Sequence, residues 1–89
     1  NPEVLVLSIG QEKEAIKIAE KLRGASVGAV LLLDKGISKA LDYANSKKIR
    51  NVIFIGAEEV KKKKFKVKDM KSGKEKLVSE KELVNLYLP

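Results

Sequence analysis

Apolar residues follow two alternating rhythms along this chain: short, nearly continuous runs, and stripes at helical spacing. Glu3 to Ile9 reads Val-Leu-Val-Leu-Ser-Ile, a branched run of the kind found in strands buried on both faces, and Gly10 ends it. From Gln11 to Arg23, Ala15, Ile18, Ala19 and Leu22 recur at helical spacing. Glu12 and Glu14 stand at the positive end of that helix dipole, Lys21 and Arg23 at the negative end, and Gly24 is the expected stop. A second run, Val27 to Leu33, closes at Asp34-Lys35-Gly36. Ile37, Ala40, Leu41 and Ala44 then form another helical stripe, with Ser38 or Asp34 as its expected cap. Asn51 to Ile55 reads as a third buried strand ending at Gly56. Parallel strands need right-handed crossovers, so this β-α-β-α-β order predicts a parallel sheet with helices on its faces.

Past Gly56 the rhythm changes. Phe65 and Val67 alternate with Lys64, Lys66 and Lys68, which predicts a period-two strand with one dry and one wet, basic face. Ser72-Gly73 offers a turn, and Lys74 to Val78 can return as a hairpin partner. Ser79-Glu80-Lys81-Glu82 has capping-box form and opens a last helix that points Leu83, Val84 and Tyr87 inward. The element order is therefore β-α-β-α-β-β-β-α, an α/β fold. Its 89 residues are expected to make one domain, residues 1–89, with room for a single modest core. No apolar run approaches the ~20 residues that span a bilayer, and Asn1-Pro2-Glu3 does not open a signal peptide. A cytoplasmic location with no membrane contact is expected.

Charge narrows the function. Between Lys61 and Lys76 stand nine lysines against Asp69 and Glu75, a surplus equal to the net +7 of the whole chain. Such asymmetry is the footprint of a polyanion-binding face. The chain has neither histidine nor cysteine, and so lacks the commonest general base, the thiolate nucleophile and the usual borderline metal ligands. Catalysis within this chain, a metal site and a cofactor of its own are not expected. There is neither Gly-x-Gly-x-x-Gly nor Gly-x-x-x-x-Gly-Lys, which disfavours a nucleotide-binding enzyme of doubly wound type.

Several groups could meet RNA, and each has a plainer reading. Lys64, Lys66 and Lys68 would project ammonium groups at ~6.6–7 Å intervals, close to the phosphate spacing of a nucleic-acid strand; lysines also protect exposed edge strands from aggregation. Gly10 and Gly36 lie where strands give way to helices, so unpaired amides there could meet an anion; glycines are also ordinary at such turns. Glu58-Glu59 could accept from a base edge, or could simply open a short helical turn. Lys61 to Lys63 read as a solvated turn. The four aromatic residues are thinly spread, and Phe54 and Phe65 read as core.

The stretches Gly36-Ile37-Ser38-Lys39-Ala40-Leu41-Asp42-Tyr43-Ala44, Asn51-Val52-Ile53-Phe54-Ile55-Gly56-Ala57-Glu58-Glu59 and Phe65-Lys66-Val67-Lys68-Asp69 together resemble the C-terminal anticodon-binding domain of histidyl-tRNA synthetases. The resemblance covers nearly the whole chain. It implies a three-layer α/β/α domain with a mixed five-stranded sheet, four strands parallel and one antiparallel. It also implies that the chain is a fragment of a longer, homodimeric synthetase whose separate catalytic domain uses ATP to join histidine to its tRNA. In the related prolyl, threonyl and glycyl enzymes an acidic residue after the third strand and a basic residue on the next strand read anticodon bases. The matching positions here are Glu59 and Lys68, with Gly10, Gln11, Ser38 and Lys39 expected near the same edge. The leading expectation is recognition of the anticodon stem-loop of tRNA, tRNA-His above others. The alternative is a regulatory or protein-interaction module that keeps the synthetase fold.

Overall fold

The structure is a computed structural model and describes residues 3–87. Nine elements follow one another: β1 (Val4–Ser8), α1 (Glu12–Gly24), β2 (Ala29–Leu33), α2 (Ile37–Ser46), β3 (Asn51–Ile55), α3 (Ala57–Lys62), β4 (Lys64–Asp69), β5 (Glu75–Ser79) and α4 (Glu80–Asn85). The strands form one sheet in the order β2-β1-β3-β4-β5. β2 and β3 each run parallel to β1, and β4 runs antiparallel to both β3 and β5. Four strands thus share one direction and β4 alone opposes them, as the mixed sheet was expected to be.

Period-two alternation divides β1, β2 and β3 between two cores, whereas β4 and β5 contribute to the first alone. Val4 and Val6 join Ala15, Ile18, Ala19 and Leu22 of α1, Ile53 and Ile55 of β3, Phe65 and Val67 of β4, Val78 of β5 and Leu83 of α4. Leu5 and Leu7 face the other way, onto Ala40 and Ala44 of α2, Ile49, Val52 and Phe54. β1 lies between β2 and β3, and every one of its residues is buried.

The two faces are covered unequally. α1 and α4 lie on the first, clamped together by Glu80, which pairs with Lys21 and, at 3.6 Å, with Lys17. These ammonium groups, Lys21 first, hold the Glu80 carboxyl below its ordinary range. α4 starts as the capping box requires: Ser79 Oγ accepts from the Glu82 amide at 3.2 Å, and Glu82 Oε1 accepts from the Ser79 amide at 2.9 Å. The second face carries α2 alone.

Three local expectations need correction. Neither Ser38 nor Asp34 caps α2: its N-cap is Gly36, with no side-chain hydrogen bond. Asp34 instead adopts a left-handed backbone, φ 54°, and its Oδ1 accepts from the Gly10 amide at 3.4 Å. Where Lys61 to Lys63 were expected as a solvated turn, the short helical turn that Glu58-Glu59 were alternatively read to open runs on to Lys62 as α3, an element the expected order lacked. Finally, β4 is no edge strand, so its lysines do not serve to protect an edge. The edges are β5 and β2, and on β2 the Arg23 guanidinium donates twice to Ala29 O, at 3.0 and 3.1 Å.

The far end of the sheet is closed by Tyr87, whose hydroxyl donates to Asn51 Oδ1 at 2.9 Å. Burial first, then the negative charges of Glu3 and Asp69, push this phenol up to about 12. The neutral form is the one the folded state favours. Its contribution is therefore complete below the ordinary tyrosine value of ~10 and is lost as pH rises from there through about 12. Ultraviolet titration should show a phenolate step at that high pH in the wild type that is missing in Tyr87→Phe, and the variant's stability should fall less steeply over the same alkaline interval.

Candidate nucleic-acid interface

The open part of the second face is made by β4 and β5. Lys64, Lys66 and Lys68 project from it in a row, and their cross-strand partners on β5 are Ser79, Leu77 and Glu75. Towards β3, Lys66 pairs with Phe54 and Lys68 with Val52, both of which lie beneath α2. Lys64 is exposed, whereas Lys66 and Lys68 are half-buried. Lys66 Nζ lies 5.6 Å from the centroid of the Phe54 ring and 3.9 Å from Glu75 Oε1. Of the other lysines between Lys61 and Lys76, Lys61 and Lys62 lie in the last turn of α3, Lys63 in a left-handed C-cap with φ 55°, Lys71 and Lys74 around the hairpin, and Lys76 opposite Val67 on β5.

That hairpin is built by Asp69. Its Oδ1 accepts from the Lys71 amide at 2.8 Å and the Ser72 amide at 3.3 Å, and Gly73 supplies the left-handed residue at φ 77°. Those two amides, with Arg50 assisting, hold the Asp69 carboxyl below its ordinary range. The hairpin is thus better braced above the ordinary carboxylate value than below it, and the bracing is lost as pH falls through the lowered one.

The sequence-derived residues do not all converge. Gly10, Gln11, Ser38, Lys39 and Glu59 follow the C-terminal ends of β1, β2 and β3. Lys68 pairs with Val52 near the start of β3, so it stands about four residues, ~13 Å, along β4 from Lys64 and away from that edge. Lys64 joins the Glu59 end, Lys66 is midway, and Lys68 belongs to the hairpin end. The Gly10 amide, read as open to an anion, is already met by Asp34 Oδ1, and the neighbouring Gln11 amide by Ser8 Oγ at 3.0 Å. Ser8 is fully buried, and its hydroxyl has this role. Ser38 and Lys39 lie exposed in the first turn of α2.

Glu59 has a structural duty that its position in the sequence did not disclose. Its Oε1 accepts from the Gly56 amide at 2.9 Å, which ties α3 to the end of β3. A Cβ at Gly56 would come within 2.6 Å of that oxygen, so a side chain there would make the carboxylate tip shift. Glu58 is the more exposed acid and pairs only loosely with Lys62, at 3.7 Å.

A model of the family described as the anticodon binding domain matches residues 3–88. The chain belongs to that family. The anticodon-binding domain is 39% identical over 87 residues to the histidine–tRNA ligase of Methanocaldococcus jannaschii, a match covering 92% of this chain and 21% of that protein. It is 35% identical over 92 residues to the histidine–tRNA ligase of Thermococcus kodakarensis, covering 98% and 21%. The crystal structure of histidyl-tRNA synthetase from Nostoc sp. PCC 7120 superposes with a TM-score of 0.87 at 26% identity, over 96% of this chain and 21% of that one. The RNA-binding domain of threonyl-tRNA synthetase from Cryptosporidium parvum shares the fold, with a TM-score of 0.86 at 17% identity over 96% and 22%. This anticodon-binding domain thus spans about one fifth of the length of the ligases it matches.

The duty of Glu59 gives a measurable expectation. Glu59→Ala leaves the buried Gly56 amide without its acceptor and should cost about 1–2 kcal/mol, read as a lowered urea midpoint with an unchanged m-value. Glu58→Ala, which removes only an exposed pair, should leave the midpoint in place.

Proposed function

We propose that this chain binds the anticodon stem-loop of a tRNA, tRNA-His above others, and does so as a domain of a histidine–tRNA ligase. In this reading residues 1–89 form one domain. The joining of histidine to tRNA with ATP belongs to a separate catalytic domain of the same polypeptide, in a homodimeric cytoplasmic enzyme. The chain itself contributes affinity and discrimination without chemistry.

The observation that carries the proposal is the row of Lys64, Lys66 and Lys68 on a strand that is internal to the sheet and uncovered on one face. An internal strand has no free edge to defend, so the row is left without that structural purpose. Phosphate contacts from such a row set position, and base contacts set specificity. Lys64 and Lys68 stand at opposite ends of β4 and would meet different nucleotides of the bound strand. Glu59, at the Lys64 end, has one oxygen committed to Gly56, which leaves the other to accept from a base. Ser38 and Lys39, with the exposed turn at Gly10 and Gln11, extend the same surface across the C-terminal edge of the sheet.

The test is binding to tRNA-His and to a control tRNA at two salt concentrations. Wild type should prefer tRNA-His. Replacing Lys64, Lys66 and Lys68 together by Ala should weaken binding to both RNAs and flatten the logarithmic salt slope by about 0.7 for each single-strand phosphate that the variant no longer neutralises. Wild-type protein that binds neither RNA at low salt would refute the reading and leave the fold to a protein-interaction role.

A further inference from the structure

Leu77 lies 54% exposed on β5, beside the row of Lys64, Lys66 and Lys68. Its cross-strand partner is Lys66, and the pairs on either side are Lys64 with Ser79 and Lys68 with Glu75. Phe54, Lys66 and Leu77 therefore make one row across three strands. α2 covers the Phe54 end, and the Leu77 end is bare. The Lys66 ammonium stays on the sheet, between the Phe54 ring and the Glu75 carboxylate, which keeps its methylene stem close to the strand surface beside Leu77.

Isolated exposed leucines are common, yet this one adds nothing to either core and sits where the solvated face is otherwise polar or cationic. Among the described residues, the remaining large exposed apolar side chains lie elsewhere: Ile9 beyond β1, Ile16 on α1, Ile37 at the start of α2 and Leu86 after α4. The aromatic residues do not supply this face either. Phe54 and Phe65 are buried, Tyr43 packs on the second core, and Tyr87 is bonded to Asn51. Single-stranded RNA is read from splayed bases, whose flat surfaces are commonly laid on aromatic, apolar or guanidinium groups.

Resting on the RNA-binding reading above, we infer that Leu77 and the stem of Lys66 form an apolar shelf for one unpaired RNA base, with Lys64 and Lys68 meeting the backbone further along the strand in either direction. The shelf favours loop over duplex, because a base stacked and paired within a helix does not present its face. It is tolerant of base identity, since it meets the ring surface rather than a hydrogen-bonding edge.

The experiment compares wild type, Leu77→Ser and Leu77→Phe for binding to an anticodon stem-loop RNA and to a fully paired RNA duplex, each at two salt concentrations. Leu77 is exposed, so all three proteins should show the same thermal unfolding. Leu77→Ser should weaken stem-loop binding about tenfold with an unchanged salt slope and leave duplex binding as it was, whereas Leu77→Phe should match or exceed wild type on the stem-loop. Equal stem-loop binding by wild type and Leu77→Ser overturns the shelf while the RNA-binding reading stands. Loss of concentration-dependent self-association in Leu77→Ser, with RNA binding unchanged, assigns the leucine to a protein interface and also overturns it. Wild type that binds no RNA removes both.

Discussion

Burial of β1 on both faces is the constraint from which the rest of this structure follows. A strand with no wet side must have a pairing strand along each edge and a layer on each face, and its side chains must be apolar at both parities. Val4 and Val6 meet α1 while Leu5 and Leu7 meet α2, so the two crossover helices have to lie on opposite faces. Right-handed crossovers deliver that arrangement with β2 and β3 on either side of β1. Ser8 is the one polar residue that this position forces inside, and the Gln11 amide satisfies it.

Beyond β3 the two faces part company. The first core continues through Phe65, Val67, Val78 and Leu83, because α4 returns over the hairpin and is clamped to α1 by Glu80. The second core stops at Phe54, where α2 ends its coverage. The alternate residues of β4 then have no apolar layer to face, and lysines at those positions cost the fold little. The same asymmetry that completes one core leaves two strands of the other face bare. Cations held on the pleat are more closely ordered relative to one another than lysines on a loop, and Phe54 and Glu75 restrain one of the three directly.

The strands and the longer helices were legible because their signals are periodic. The runs at Val4–Ser8 and Asn51–Ile55, and the stripe Ala15, Ile18, Ala19, Leu22, each repeat one requirement several times over, and a repeated requirement survives local exceptions. The capping box at Ser79 was legible for a different reason: it is a short-range motif whose two hydrogen bonds depend on only four residues. α3 was legible only as one reading of Glu58-Glu59, because six residues give under two helical turns and Val60 anchors it half-buried against the first core. Its start brings the Glu59 carboxylate back onto the Gly56 amide, and that is a single close approach rather than a pattern. Asp34 escaped in the same way. Composition marks it as a cap for the next helix, but a left-handed backbone turns its carboxylate back to Gly10, on the neighbouring strand-to-helix turn.

These two carboxylates alter what the C-terminal edge of the sheet can offer an RNA. In many α/β sheets that edge presents free amides to an anion. Here Asp34 stands over the Gly10 amide and Glu59 over the Gly56 amide, so two of the three strand-to-helix turns already hold a negative charge of their own. A phosphate brought to those turns would meet repulsion before it met a donor. The same carboxylates are well matched to the amino groups of exposed bases. The lysines from Lys61 to Lys74, meanwhile, lie on α3 and its cap, β4 and the hairpin. The acids Asp34 and Glu59 share the ends of the parallel strands with Lys35, Lys39 and the α3 lysines, whereas β4 carries Lys64, Lys66 and Lys68 without an acid among them until Asp69. For a single-stranded loop bound as proposed, bases towards Asp34 and Glu59 with backbone along Lys64, Lys66 and Lys68 is the orientation that keeps phosphates away from these two carboxylates.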